Sequence, residues 1–193
     1  MENTLENVKD RIQLPFHFDV EKLQAEVTAL TRSDFYIYYK VLTLRGPAHQ
    51  IYPSKPLPPA ADDYADGTWC DWLDTSDLKK SPYLMEVVNF FKKHTTVNLV
   101  RLLRLEQQAI VKEHTDPTLA IHIEKSMVRL TIPIFNTDEK FYLNKTLVPL
   151  QPGECWYMRL SNPHYIENGA TERINLTIDI IPNDWLKSFL LAK

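Results

Sequence analysis

Two polar residues in the segment KEHTDP have the spacing of a metal-binding pair. His114 and Asp116 are two positions apart, and on an extended chain the side chains at i and i+2 point to the same face. The imidazole and the carboxylate can therefore reach one point. The pair alone decides little, because a histidine and an aspartate on a solvated surface strand give the same pattern.

A third candidate ligand stands later in the chain, in SNPHYIENGATER. His164 is followed by Asn168-Gly169, a dipeptide typical of a two-residue hairpin turn. With these two residues as the turn, 164 lies opposite Arg173, and directly opposite residues share one face of a sheet. This register predicts a histidine that can ligate a metal beside an arginine that can bind a carboxylate through two hydrogen bonds. A longer loop would shift the register.

Two histidines and one carboxylate form a facial triad that leaves coordination positions open. The open positions suit iron(II) binding a chelating 2-oxo acid and O2. We therefore predict iron(II) held by His114, Asp116 and His164, with 2-oxoglutarate as the cosubstrate and its distal carboxylate on Arg173. A structural zinc site would require four closed ligands, often thiolates, and this pattern offers none.

The segment that contains Arg173 alternates polar and aliphatic residues. The polar set is Arg173, Asn175, Thr177 and Asp179. In a barrel that carries a site, the polar face lines the cavity and the aliphatic face packs on helices, although an outer strand with a solvated polar face has the same pattern. Arg129 and Thr131 repeat the alternation in MVRLTIPIF. Arg129 is either a second carboxylate-binding group or a charge at the rim.

The elements that must position these residues are helical in the first half and β-rich in the second. Helices are predicted over 20–30, from Ser81-Pro82 to about Thr95, and from Asp184 onward, with a strand over 35–44. The proline-rich segment 46–77 does not fit a regular element. Short β-rich segments then recur at the spacing of a barrel or sandwich. They lie near 98–105, 109–114, 127–134, 139–143, 155–160, 164–167 and 173–181.

The length of 193 residues suits one compact domain. We predict an α+β fold with a jelly-roll barrel as its core, divided into a helical and loop part with one or two edge strands (1–97), the barrel core (98–182) and a closing helix (183–193). The net charge of −3 gives no reason to expect a nucleic-acid partner. The start of the chain lacks the pattern of a signal peptide and no apolar run is long enough to cross a membrane. We expect a cytoplasmic protein without a membrane partner; its oligomeric state stays open.

In order along the chain, several segments resemble the aspartyl/asparaginyl β-hydroxylase family of iron and 2-oxoglutarate dioxygenases. The most specific motifs are PGECWY, PHxxxNG, ER and NDWL, set in LQPGECWYMRLSNPHYIENGATERINLTIDIIPNDWL. The resemblance implies a double-stranded β-helix (jelly-roll, cupin-like) barrel with helices on one face. It implies the same three iron ligands, with Arg173 and Arg129 binding the cosubstrate. The family commonly has a histidine where this chain has Thr131, and a turn glycine where it has Gln107-Gln108.

The reaction implied is hydroxylation of an unactivated C–H bond of an amino acid, with 2-oxoglutarate decarboxylated to succinate and CO2. The amino acid is free, derivatised or peptidyl, and the β-carbon of Asp or Asn is one target. Related halogenases carry a small residue in place of the carboxylate, so Asp116 favours hydroxylation. Arg45, Trp156, Asn175 and the loop 46–77 are candidates for substrate binding, and Arg45 is equally well explained as a surface charge. The alternatives are a non-catalytic cupin-type module that binds a metal or small ligand, and an enzyme acting on a sugar or lipid headgroup.

Overall fold

A computed structural model describes residues 5–30, 41–52, 70–121, 127–136 and 138–191. Most of the proline-rich segment and the first part of the strand predicted over 35–44 lie outside these residues. The strands are, in chain order, β1 (Arg11–His17), β2 (Val41–Pro47), β3 (Trp72–Asp74), β4 (Val97–Leu105), β5 (Ile110–His114), β6 (Val128–Phe135), β7 (Lys140–Leu143), β8 (Thr146–Val148), β9 (Glu154–Met158), β10 (His164–Glu167) and β11 (Arg173–Ile180). The helices are α1 (Val20–Leu30), α2 (Ala48–Ile51), α3 (Ser76–Lys79), α4 (Pro82–Lys92) and α5 (Asp184–Leu190).

The strands form two antiparallel sheets. The larger sheet has seven strands in the order β1-β9-β6-β11-β4-β2-β3, and the smaller has four in the order β5-β10-β7-β8. The seven β-rich segments expected after residue 97 are confirmed. The described residues before β4 include three strands, and two of them, β1 and β3, are the edges of the larger sheet. At the β3 edge, which has only three residues, little backbone is exposed that could pair with another chain.

Helices cover one face of the larger sheet. α4 begins at Pro82, whose missing N–H costs nothing at the first helical position. Its buried side chains share one apolar core with α1 and with the aliphatic face of the central strands. Members of this core include Val27, Val88, Phe91, Leu102, Ile132 and Ile178. Burying each such side chain stabilises the fold by about 1.5–3 kcal/mol, and this packing holds β11 at the centre of the sheet.

The two sheets enclose a second, separate apolar cluster. It contains Leu105 and Met158 from the larger sheet and Phe141, Leu143 and Ile166 from the smaller. Two antiparallel sheets that share an interior in this way form a jelly-roll barrel, as predicted. All eight residues of β11 are buried, so a solvated polar face for this strand is wrong: its polar side chains face the barrel interior.

The hairpin turn predicted at 168–169 is wrong. β10 pairs with β5 and β7, whereas β11 pairs with β4 and β6, so His164 and Arg173 do not face each other across a hairpin. The chain crosses between the sheets here, and the Asn168 side chain donates to the Glu106 carbonyl at 2.6 Å. A side-chain amide that bonds distant backbone in this way competes with a tight turn. The two residues line the same cavity because the two sheets face each other.

Within the described part of the chain, no helix has both the length and the apolar character needed to span a membrane.

Candidate metal centre and cosubstrate cavity

Three predicted ligands converge where the smaller sheet ends. His114 is the last residue of β5, His164 is the first residue of β10, and the two are directly opposite in the antiparallel register. Their ring centroids lie 4.2 Å apart. One ligand atom from each of His114, Asp116 and His164 lies within 4.8 Å of the others. Side chains from two neighbouring strand ends therefore surround one point.

Both imidazoles are oriented by a backbone carbonyl two residues earlier. His114 Nδ1 lies 2.7 Å from the Lys112 oxygen, and His164 Nδ1 lies 2.9 Å from the Asn162 oxygen. When Nδ1 donates to a carbonyl, Nε2 keeps its lone pair for a metal. Burial lowers the pKa of His164, which favours the neutral imidazole that binds a metal.

Asp116 is held differently, because β5 ends at His114. Its backbone is neither helical nor fully extended, with φ −112° and ψ 84°. Its N–H donates to the Leu160 carbonyl at 2.8 Å, and its Oδ2 lies 3.6 Å from Nη1 of Arg129. The expected convergence of the HxD pair is present, but the chain turns after the histidine rather than continuing as a strand.

The donor set fits a divalent transition metal with open positions. Two imidazoles and one carboxylate are the ligands of the facial triad, which is diagnostic of non-haem iron(II) oxygenases. Within the described residues this is the one group of His, Cys, Asp and Glu side chains close enough to hold a metal ion. Three protein ligands leave room for a cosubstrate to coordinate.

A cavity of about 300 Å³ joins the triad to the arginines of the larger sheet. The triad forms one part of its wall. The larger sheet contributes polar side chains from three strands, namely Arg101, Arg104, Arg129, Thr131, Arg173 and Thr177. The cavity therefore combines a metal-binding end with a cationic wall.

Arg173 is buried on β11 between two acceptors. Its Nε lies 2.7 Å from Oε1 of Glu139, whose side chain is 1% exposed. With the amide oxygen of Asn175 turned toward the guanidinium, that oxygen accepts from Nη2 at 2.6 Å and from Nε at 3.1 Å. Burial raises the pKa of Glu139, and the Arg173 charge opposes that rise. These two acceptors thus fix the orientation of the Arg173 guanidinium, and Arg173 lines the cavity.

Arg129 is fixed by a buried carboxylate of the neighbouring strand. Asp179 lies directly opposite it in the β6–β11 register and accepts from its Nε at 2.7 Å and its Nη2 at 2.8 Å. Burial alone would lower the pKa of Arg129, but Asp179 and Asp116 raise it. Arg101 Nη2 lies 3.9 Å from the same Asp179. Two cavity arginines therefore share one carboxylate.

Thr131 and Trp156 lie in the barrel at different depths. Thr131 is buried on β6 and lines the cavity. Trp156 pairs with it in register on β9, but it belongs to the apolar cluster and does not line the cavity. Its indole N–H donates to Glu154 at 2.7 Å. Asn175 is also away from the cavity surface and contacts Arg173 instead.

Arg45 is part of a separate ion cluster. Its Nη1 lies 2.7 Å from Asp74, which also binds Lys92 at 2.8 Å. Its Nε donates to the Val97 carbonyl at 2.9 Å, and it does not line the cavity. The structure places this arginine in the packing of β2 against β3, not beside the triad.

Sequence reasoning missed the partner roles of Glu139 and Asp179. Glu139 stands in the charged segment NTDEK, which looks like a solvated turn, and no local pattern marks it as buried. Asp179 has a weak signal, because it continues the polar face of β11. Only the register of β6 against β11 reveals that its partner is Arg129.

This fold and this site define a class of protein: jelly-roll metalloenzymes in which a His-Asp-His triad opens onto a cosubstrate cavity. The model of the aspartyl/asparaginyl beta-hydroxylase family matches residues 66–182, more than half of the chain. The chain belongs to this family. A comparison with curated protein sequences found no match.

Several solved structures have the same fold. The viral collagen prolyl hydroxylase of Paramecium Bursaria Chlorella virus-1, in complex with 2OG, has a TM-score of 0.52 at 9% identity and covers 89% of this chain and 95% of its own. A 2OG-Fe(II) oxygenase family oxidoreductase from Burkholderia pseudomallei has 0.54 at 13% identity, covering 89% and 84%. The non-heme alpha ketoglutarate dependent carbocyclase SnoK from nogalamycin biosynthesis has 0.56 at 10%, covering 92% and 85%. At these identities the likeness shows the fold.

Family membership and the triad together make this chain a hydroxylase of the 2-oxoglutarate and iron(II) oxygenase type. Its cofactor is Fe(II), and its cosubstrates are 2-oxoglutarate and O2.

Proposed function

We propose that this enzyme hydroxylates an unactivated C–H bond of an amino acid, whether free, derivatised or part of a peptide. The observation that carries the proposal is the joining of the triad and Arg173 in one cavity of about 300 Å³. That volume is at the lower end of the range of ligand pockets. It suits 2-oxoglutarate and one amino-acid side chain better than a large substrate.

The proposed roles follow from position and charge. His114, Asp116 and His164 hold the iron, and Arg173 binds the distal carboxylate of 2-oxoglutarate. When bound, iron with 2-oxoglutarate and O2 supplies the oxidising power that converts C–H to C–OH as 2-oxoglutarate becomes succinate and CO2. Asn175 keeps the plane of the Arg173 guanidinium fixed, and a preoriented guanidinium binds a carboxylate with less loss of entropy.

The cationic wall supports a substrate that carries a carboxylate. Arg101 on β4 lines the same cavity as Arg173. Because Arg101 and Arg129 share the single carboxylate of Asp179, this part of the wall has more positive charge than its own acidic partner balances. The Arg101 side chain is 24% exposed, which leaves it accessible to a second ligand. Free amino acids, N-acylated amino acids and acidic side chains all supply such a carboxylate. The Asp or Asn β-carbon is the target that the family name suggests.

The first test is spectroscopic. Metal-free protein is mixed anaerobically with iron(II) and 2-oxoglutarate, and the visible metal-to-ligand charge-transfer band is recorded. We expect a band that is lost in His114→Ala and that requires more 2-oxoglutarate in Arg173→Ala. Asp74→Asn, in the ion cluster outside the cavity, is the control and should give the wild-type band.

The second test identifies the substrate. Free amino acids, N-acylated amino acids and short Asp- or Asn-containing peptides are screened for stimulated succinate release, and the product is analysed by mass spectrometry for one added oxygen. Stimulation by one of these classes supports the proposal. A well-folded protein that binds the metal tightly but gives no charge-transfer band and no succinate would instead be a non-catalytic binding module.

A further inference from the structure

A line of three charged side chains runs from the core of the larger sheet to the metal centre. Asp179, which is 1% exposed, accepts two hydrogen bonds from Arg129. The remaining terminal nitrogen of Arg129, Nη1, lies 3.6 Å from Oδ2 of Asp116. The distance is longer than a hydrogen bond, so Arg129 attracts the Asp116 carboxylate without closing on it.

Asp116 depends on such a contact more than the histidine ligands do. Each imidazole is oriented by a backbone carbonyl and by its place at a strand end. Asp116 lies beyond the end of β5, and its backbone is anchored by the Leu160 carbonyl rather than by strand pairing. The direction of its carboxylate is therefore set by the charges around it.

We infer that Asp179 is a positioning residue of the metal centre, which restrains Arg129 from pairing fully with Asp116 and so leaves that carboxylate to the metal. The inference rests on the proposed function, since it takes the triad to be the iron site. It also gives Arg129 a different task from cosubstrate binding, the task that the family resemblance implies.

The restraint follows from competition for one guanidinium. A planar guanidinium binds a carboxylate most strongly through two parallel N–H donors. Asp179 occupies Nε and Nη2, so only one terminal nitrogen faces Asp116. If Asp179 lost its charge, the same arginine would be free to pair with Asp116 through two donors. The metal would then have to compete with Arg129 for its only carboxylate ligand.

The inference is tested by Co(II) binding in the absence of 2-oxoglutarate. Co(II) is stable in air, and its visible bands report the ligand geometry. We expect Asp179→Asn to weaken Co(II) binding by about 10- to 100-fold, the usual effect of losing a partner of a metal ligand, and to shift the visible bands. Asp74→Asn is the matched control: Asp74 also binds two cations, Arg45 and Lys92, on the same sheet, and its loss should leave Co(II) affinity unchanged.

A double-mutant cycle separates positioning from a general loss of structure. In an Arg129→Gln background the guanidinium that contacts Asp116 is absent, so adding Asp179→Asn should change the Co(II) dissociation constant by less than about threefold. If Asp179→Asn alone does not fold, Asp179→Glu retains the charge but pushes the guanidinium toward Asp116. It should weaken Co(II) binding in the wild-type background and not in the Arg129→Gln background.

Two results would overturn the inference: folded Asp179→Asn with wild-type Co(II) affinity and bands, or equal weakening in both backgrounds. Absence of a metal site at the triad, on which the proposed function depends, has a different signature. In that case the wild-type protein binds Co(II) no more tightly than His164→Ala, whatever residue occupies 179. Tight metal binding with no charge-transfer band and no succinate would contradict the proposed function alone.

Discussion

The two walls of the cavity hold their functional groups by different means. On the smaller sheet, the imidazoles of His114 and His164 are oriented by single backbone carbonyls, and His114 is exposed. On the larger sheet, Arg173 and Arg129 are deep and each pairs with a buried carboxylate. Neutral ligands need only orientation, whereas a buried cation needs a countercharge because removing it from water is costly.

This difference predicts that the ligands on the smaller sheet serve mainly function, whereas the buried arginines on the larger sheet also stabilise the fold. On the smaller sheet, substitution of the exposed His114 should abolish metal binding with little effect on folding. On the larger sheet, substitution of the buried Arg173 or Arg129 should destabilise the fold even without ligands, because it leaves a carboxylate buried and unpaired. The free energy of unfolding of the metal-free protein measures this difference.

The largest expected effect belongs to Arg173→Ala. It leaves Glu139 buried without its cation, and breaking a buried pair in this way costs about 3–5 kcal/mol. Urea unfolding of the metal-free protein measures the loss. The double variant Arg173→Met, Glu139→Met should recover most of it, because apolar residues of similar volume tolerate such a site.

Arg104→Ala is the matched control for that prediction. Its pair with Glu172 is more exposed, with side-chain exposures of 26% and 36%. Exposed pairs contribute about 0–1 kcal/mol, so this variant should lose no more than about 1 kcal/mol. Equal losses for Arg173→Ala and Arg104→Ala would contradict the proposed importance of burial.

A second prediction concerns the pH dependence of stability. Burial raises the pKa of Glu139 in the folded protein, despite Arg173. A folded-state pKa above the unfolded value means that the contribution is fully present below about pH 4.5 and is lost as the pH rises through the folded pKa. Glu139→Gln cannot ionise, so the variant should gain stability relative to the wild type across this window, with a slope of at most about 1.4 kcal/mol per pH unit.

Urea titrations of both proteins between pH 4 and 8 provide the measurement. Comparing the two cancels groups such as Asp74, whose lowered pKa changes stability with pH in the opposite direction. A difference that is constant across the range would show that Glu139 keeps the same charge throughout.

Much of the fold could be predicted from local patterns. Apolar spacing predicted α1, the Ser81-Pro82 helix start predicted α4, alternation predicted β6 and β11, and short β-rich segments predicted the barrel. The convergence of the HxD pair was expected from its spacing, although the chain turns after His114 instead of continuing as a strand. These features depend on residues close together in the chain, where periodicity is informative.

The countercharges could not be predicted, because they depend on contacts between distant strands. Glu139 forms an ion pair with Arg173, although the two residues are far apart in the sequence. Nothing in NTDEK marks Glu139 as buried. The hairpin predicted at 168–169 was wrong for the same reason. Asn168-Gly169 is typical of a turn, but the Asn168 side chain donates to the backbone carbonyl of Glu106. Turn propensity is local, whereas the partner that overrides it is not.

A smaller effect on stability is expected in the turn between β4 and β5, which connects the two sheets. Gln108, in the Gln107-Gln108 turn where the resemblance leads one to expect a glycine, adopts φ +58°, a left-handed conformation that costs a side-chain-bearing residue about 1–2 kcal/mol. Glycine avoids this cost but loses more entropy on folding, so Gln108→Gly should stabilise the protein by about 0.5–1 kcal/mol in urea unfolding. Gln107→Gly is the control and should not stabilise, because Gln107 has no positive φ. Equal effects of the two variants would exclude relief of backbone strain.

The smallest expected change in stability belongs to His114→Ala, on the smaller sheet. His114 is exposed and its ring bonds one backbone carbonyl, so His114→Ala should change the unfolding free energy of the metal-free protein by no more than about 0.5 kcal/mol. The same variant should lose the charge-transfer band with iron(II) and 2-oxoglutarate. Near-native stability without metal binding would show that His114 serves metal binding and contributes little to the stability of the fold. A loss comparable to that of Arg173→Ala would show instead that both walls stabilise the fold, and the division between them would not hold.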